Sequence, residues 1–521
     1  MPDPAAGAGG PAVKPTVHFG GETTPADAFF ARYGRAAAAL HACGIGERDV
    51  FALMLRNEPV TLELMLAGRW LGARWCMINW HFKAHEVQHI LADSGAKVLV
   101  VHADLLEAIA GRIPPGVKVF VVAPEAATRM AFRLGDGPWP AAQGYDEWQH
   151  FRDATPHPPA AQKPPGSAML YTSGTTGLPK GIARDAATPA QIQATLAMSR
   201  VVLGVELGMR ALVSAPLYHA APLSYVVLAS LSDAELWIAP RFDAEQTLQL
   251  IARERLTHAY LVATMFVRLL ALPPDVRGRH DIGSMTFVAS TGSPCPPEVK
   301  RQMIEWWGPV VHEAYAASEL GYITHIDSDE ALRKPGSAGR ALPGTALKVL
   351  ADDGTELPPG HIGVLYARSS ATPDFTYSHN DAARRKLETA GLWTLGDMGY
   401  VDADGYLFIV DRQADMVISG GVNIYPAEIE AVLMGMPGVA DCALFGVPDA
   451  EFGEGLAAAV QAAAGATLTA QDVQAFLRER IAGYKVPRLV TFHTELPRED
   501  SGKIFKRKLR DPYWAGMTRR L

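Results

Sequence analysis

The sequence predicts an α/β fold: a large N-terminal domain of parallel-type sheets with helices, followed by a smaller α+β domain. Three observations carry that prediction. From about Thr24 to about Val410 short apolar runs alternate with helical patterns, the signature of β–α layers with mainly parallel strands. Over residues 337–370 the pattern changes to short strands around turn signals, which suggests a small antiparallel or barrel-like part reaching to about residue 410. Beyond Asp411-Arg412 the remainder has the length of a compact domain of about a hundred residues. The expected division is therefore 1–411 and 412–521.

The elements follow in order. Val98-Leu99-Val100-Val101 and Val119-Phe120-Val121-Val122 are β-branched runs typical of buried strands. Asp243 followed by Gln246 marks a helix start leading into Leu248, Leu250 and Ile251. The apolar run Tyr260-Leu261-Val262 and a second helical stretch to Leu272 continue the alternation. Leu347-Lys348-Val349-Leu350 and Val364-Leu365-Tyr366-Ala367 read as strands flanking Asp353-Gly354 and Pro358-Pro359-Gly360 turns. The Ala-rich stretch 457–466 reads as composition around a strand, and a helix starts near Pro426.

Bulk properties bound the function. At 521 residues the chain is too long for one ordinary domain. Hydrophobic content of 48% and charged content of 20% fit a soluble globular protein. A net charge of -7 gives no basic footprint for nucleic acid. Cys43, Cys76, Cys295 and Cys442 are scattered, which argues against a disulfide framework or zinc site and for a reducing, cytoplasmic setting. The Pro- and Gly-containing start reads as a flexible leader rather than a secretion signal. No apolar run is long enough to span a bilayer. A homodimer is the default assembly for a soluble enzyme.

The segment 171–181, YTSGTTGLPKG, follows the strand-like run Ala168-Met169-Leu170-Tyr171. Its glycines let the backbone close around a bulky anion, and successive N–H groups in such a loop form an anion-binding concavity. Thr172, Ser173, Thr175 and Thr176 add hydroxyl donors around Gly174, and Lys180 adds a positive charge. Lys180 follows Pro179 and precedes Gly181, so this is not a Walker A loop. It is a loop for holding a polyphosphate.

The whole string resembles the phosphate loop of the acyl-adenylate-forming (AMP-binding) superfamily, and further motifs follow in that family's order. Glu313-Ala314-Tyr315-Ala316-Ala317-Ser318-Glu319 resembles its aromatic-x-x-[Thr/Ser]-Glu motif. The resemblance implies that Tyr315 stacks on adenine, Ser318 contacts the α-phosphate, and Glu319, with Thr172, holds Mg²⁺. Thr394-Leu395-Gly396-Asp397 resembles the family's T-G-D motif with Leu395 in place of Thr, and implies that Asp397 accepts from the ribose hydroxyls. Arg412 matches the Arg that also reaches the ribose and opens the interdomain hinge, whose pivot is Ala414 or Asp415. Val288-Ala289-Ser290-Thr291-Gly292-Ser293-Pro294 matches the family's strand-turn, with Thr291 for the first glycine; Gly292, Ser293 and Pro294 are assigned to adenine and acyl group. His219 matches a position beside the acyl carboxylate.

Two C-terminal motifs complete the set. The stretch 418–430, which includes Gly420 and Gly421, resembles the hairpin that lines the pantetheine channel. Pro497-Arg498-Glu499-Asp500-Ser501-Gly502-Lys503 resembles the motif of the mobile catalytic lysine, so Lys503 is assigned to bridge carboxylate and α-phosphate. The nearby Lys506, Arg507, Lys508 and Arg510 read as a solvated basic helix face.

The resemblance is closest to bacterial acyl-CoA synthetases and implies ATP, Mg²⁺ and CoA acting on a small carboxylic acid. Tyr218, Pro222, Leu223, Tyr225, Gly292 and Gly321 are the candidates for the acyl pocket. Their mainly apolar character suits a fatty-acyl or aryl acid. Three alternatives stay open: an adenylating enzyme loading a separate carrier-protein thiol, a luciferase-like oxygenase, and a nucleotide-binding regulator.

Overall fold

The computed structural model describes residues 14–156, 163–172, 179–413, 415–419, 422–498 and 504–515. Among these residues the chain forms three sheets. The largest has 15 strands and changes character along its length. One side is parallel, from Thr16–Phe19 through Glu235–Ile238, Arg210–Val213, His258–Tyr260 and Phe287–Ser290 to Val311–Ala317. At Gly321–Ile326 the direction reverses, and the antiparallel strands Gly339–Ala341, Tyr406–Arg412, Asp397–Val401 and Gly363–Ser369 carry the same sheet onward. The antiparallel strands expected over 337–370 are thus present as a continuation of the main sheet.

The second sheet has eight strands. Val50–Met54 lies at its centre between Arg74–Met77 and Val98–His102, all parallel and buried. Helices cover these strands, and a cluster rich in Leu, Val, Ala and aromatic side chains joins both sheets into one core. Such near-continuous apolar strands are what parallel sheets buried on both faces require. Ala168–Thr172 joins the parallel side, then pairs antiparallel with Lys180–Arg184.

The third sheet holds Val417–Ser419, Val422–Ile424, Gly453–Ala462, Val439–Asp449 and Leu489–His493. It has its own core, with Val417, Ile429, Leu433, Leu444, Leu456, Val473 and Leu477 buried beneath Pro426–Leu433 and Ala470–Arg478. Local signals mark several helices. Asp243 accepts the Gln246 N–H at 3.0 Å, and Pro426 stands in the first turn of its helix. No helix among the described residues is long and apolar enough to cross a membrane.

Candidate active site

The neck of the polyphosphate loop is a two-stranded junction. Thr172 and Lys180 are cross-strand partners, so the chain between them leaves and re-enters the second sheet at one point. Gly181 is required there, because a Cβ would lie 2.8 Å from the Tyr171 ring. That ring is anchored by its hydroxyl, which donates to Asp93 at 2.6 Å. The Lys180 ammonium sits 5.4 Å from the centre of the Tyr377 ring, a cation–π arrangement beside the loop.

Tyr377 links this neck to the acidic motif. Its hydroxyl donates to Glu319 Oε1 at 3.0 Å. Glu319 is buried, and that burial pushes its carboxyl above the usual range, with the Tyr377 hydrogen bond pulling the other way. Arg184 fixes the backbone at the same turn. Its guanidinium donates to the carbonyls of Ser318 at 2.5 Å, Glu319 at 3.0 Å and Pro373 at 2.9 Å. Three segments far apart in sequence therefore hold one carboxylate in place.

Asp397 lies on the neighbouring antiparallel strands and is buried. Its register partner is Arg412, which puts both side chains on the same face. Arg412 Nε approaches Asp397 Oδ1 at 3.2 Å, and the Tyr315 hydroxyl donates to Oδ2 through a short hydrogen bond. A carboxylate offers about four lone-pair sites. Two are used, which leaves capacity for a diol. A flat ring, a carboxylate with spare acceptor sites, and a guanidinium are thus brought together by these strands.

The turn after Phe287–Ser290 brings Thr291 into the buried interior and leaves Gly292 and Pro294 exposed, with Ser293 half-buried. Gly292 has a positive φ of 94°. His219 sits at the N-cap of Ala220–Ser230, with its ring 4.4 Å from Tyr218, which meets Trp80 edge-on at 4.5 Å. Lys180 thus meets Glu319 through Tyr377, Arg184 fixes the Ser318 and Glu319 carbonyls, and Tyr315, Asp397 and Arg412 form a second group in direct contact. Ser173, Gly174, Thr175, Thr176, Ala414, Gly420, Gly421 and Lys503 lie outside the described residues, as does the Thr172 side chain. Two shallow clefts, one around Arg210, Arg253 and Arg255 and one around Arg200, Glu206 and His258, hold none of these groups.

One expectation is corrected. Lys506 is not on a solvated basic face: its ammonium lies 2.8 Å from Glu430 Oε1, with both side chains about four-fifths buried (21% and 19% exposed). Glu430 also accepts the Leu444 N–H at 2.6 Å, and Arg510 faces Asp415 at 3.7 Å. The acidic partners come from other elements, so a local charge pattern could not show them.

Sequence reasoning also missed Tyr377 and the anchoring role of Arg184. Phe375-Thr376-Tyr377 reads as an ordinary strand, and no local signal ties it to Glu319, 58 residues away.

Comparison with known proteins gives a consistent picture. The profile of the AMP-binding enzyme family matches residues 6–372, and that of the AMP-binding enzyme C-terminal domain matches residues 428–503. A long-chain-fatty-acid–CoA ligase of Mycobacterium tuberculosis is 33% identical over 487 residues, covering 92% of this chain and 91% of that protein. A feruloyl-CoA synthase of an Amycolatopsis species is 33% identical, covering 95% of each chain. Among solved structures, ATP-bound MatB from Rhodopseudomonas palustris superposes with a TM-score of 0.81 at 27% identity, covering 96% of each chain.

Proposed function

The chain belongs to the AMP-binding enzyme family, and on that premise we propose that it is an ATP-dependent acid–CoA ligase. It activates a carboxylic acid as the acyl-adenylate with release of pyrophosphate, then transfers the acyl group to the CoA thiol. The observation that supports this reading most directly is the Tyr315–Asp397–Arg412 constellation beside the Tyr377-held Glu319. It offers an aromatic ring face, a diol acceptor and a hard oxygen ligand at the foot of a polyphosphate loop.

In the first half-reaction a carboxylate oxygen attacks the α-phosphorus and the bond to pyrophosphate breaks. We assign Lys180 and the loop residues Thr172 to Thr176 to the departing phosphates, and Ser318, Asp397 and Arg412 to the retained AMP. Tyr315 and the Gly292-Ser293-Pro294 turn flank the base, and His219 stands on the acyl side. Lys503 is assigned to offset repulsion between the two anions as they meet. In the second half-reaction the thiol attacks the mixed anhydride carbonyl and AMP leaves. Gly420 and Gly421 are assigned to the pantetheine passage, with the segment after residue 411 acting as a mobile lid.

Glu319 fits Mg²⁺: it is a buried oxygen ligand whose charged form is disfavoured until a cation compensates it. With Thr172 it would hold the ion, which when bound neutralises charge on the phosphates. The unpaired thiols of Cys43, Cys76, Cys295 and Cys442 suit a reducing, cytoplasmic setting, and a homodimer is the assembly we expect by light scattering.

A panel of carboxylic acids assayed for pyrophosphate release, with CoA added in a second step, tests the reading. Acyl-CoA formation with at least one acid is expected. Pyrophosphate release without any acyl-CoA product would instead point to a carrier-protein thiol as acceptor.

A further inference from the structure

A single helix holds both arms of the neck beneath the polyphosphate loop. The helix Ala84–Ser94 opens with Glu86 accepting the Lys83 N–H at 2.8 Å, and closes at Gly95, whose φ is 64°. Val87, Ile90 and Leu91 bury one stripe of it in the main core. His89 and Asp93 stand one turn apart beside that stripe, both half-buried, so they share a face. His89 Nε2 lies 3.0 Å from the Pro179 carbonyl. A carbonyl only accepts, so this nitrogen carries a proton and donates. Asp93 Oδ2 accepts the Tyr171 hydroxyl at 2.6 Å. Tyr171 belongs to the strand that enters the loop, Pro179 to the chain that returns, and Tyr171 pairs with Gly181 across the neck.

The same helix reaches the acidic motif. The Asp93 carbonyl accepts the Ser378 hydroxyl at 3.3 Å, and the Ser378 N–H donates to the Gly181 carbonyl at 2.7 Å. Ser378 follows Tyr377, whose hydroxyl holds Glu319 and whose ring faces the Lys180 ammonium. Lys180, Tyr377 and Glu319 therefore share one frame with this helix. Tyr315, Asp397 and Arg412 are held separately, by strands of the largest sheet.

Neither side-chain contact belongs to the helix or to a sheet ladder. Each fixes where the neck, and with it Lys180, stands relative to the core, as a supporting shell does for groups that must be preorganised. Resting on the acid–CoA ligase reading above, we propose that His89 and Asp93 are positioning residues for the β- and γ-phosphates of ATP. They act through the neck and Lys180, and they serve the half-reaction in which those phosphates depart. An acyl-adenylate carries no such phosphates, so the second half-reaction does not depend on them.

The test measures Kd for ATP, pyrophosphate and AMP by calorimetry on the full chain with Mg²⁺, unmodified and as His89→Ala, His89→Gln and Asp93→Ala. In the two Ala variants the Kd for ATP and for pyrophosphate should rise about 3–10-fold, the worth of one hydrogen bond, while that for AMP stays the same. A Gln amide N–H reaches as far from the backbone as the imidazole Nε2, so His89→Gln should recover the ATP affinity. If Asp93→Ala does not fold, Tyr171→Phe removes the same hydrogen bond and gives the same readout. Kinetically, the KM for ATP should rise with the KM for acid unchanged, and thioester formation from supplied acyl-adenylate should be spared. Parallel weakening of ATP and AMP, or equal losses in both half-reactions, would reduce the helix to a support of the fold and overturns the proposal. So does an ATP affinity that no variant changes. An unmodified enzyme that binds no ATP, or that forms acyl-CoA with no acid, counts instead against the ligase reading.

Discussion

At the scale of single residues, Asp397 and Glu319 are two buried carboxylates with different tasks. Asp397 already takes a hydroxyl from Tyr315 and faces Arg412, so it is preorganised as an acceptor. Asp397→Asn keeps the shape but loses the charge that strengthens those bonds. The KM for ATP should rise on the order of 10–100-fold, the worth of a hydrogen bond to a charged group; an ATP titration of pyrophosphate release checks this. Glu319 is held above the ordinary carboxylate range by burial. Without metal, its folded-state affinity for a proton exceeds the unfolded one. Its contribution to stability is therefore full below the unfolded pKa and is lost as pH rises through the raised folded value. In metal-free buffer, Glu319→Gln should flatten that part of the pH dependence of Tm. The same variant should lower adenylation on the order of 100-fold at limiting Mg²⁺. Tyr315, Glu319, Asp397 and Arg412 could be proposed from the sequence because each lies inside a short motif. Tyr377 could not, because its role exists only once Phe375–Tyr377 pairs with Lys180–Arg184.

At the scale of elements, the strand turn at Gly321 and the helix Lys506–Arg510 make the clearest predictions. Gly321 has a φ of 76°, and a Cβ there would overlap the Thr372 hydroxyl. Gly321→Ala should cost about 1–3 kcal/mol, from left-handed strain and the displaced Thr372, read by urea denaturation. Lys506→Met leaves the Glu430 carboxylate buried without its cation. Breaking such a pair from one side costs about 3 kcal/mol. The melting of the C-terminal sheet, followed by hydrogen exchange, should shift accordingly, while Lys508→Met should change little. Helix starts at Asp243 and Pro426 could be read from sequence because caps are local. The burial of Lys506 could not, since Glu430 reaches it only after Pro426–Leu433 packs on the third sheet.

At the scale of the whole molecule, the path of the chain decides where chemistry gathers. The polyphosphate loop leaves the second sheet, the residues assigned to adenine and ribose lie on the first, and Lys503 belongs by sequence to the segment that packs with the third. The β–α alternation made the parallel sheets legible as a class. Strand order was not legible, because neighbours such as Thr16–Phe19 and Glu235–Ile238 are joined only in space. The resemblance of the 418–430 and 497–503 motifs to those of the family's mobile domain is the reason a lid motion is part of the proposal. The central claim is that one lysine serves only the first half-reaction. Measured separately, Lys503→Ala should abolish pyrophosphate release from acid and ATP while leaving thioester formation from supplied acyl-adenylate and CoA intact. An equal loss in both half-reactions would contradict the two-orientation account.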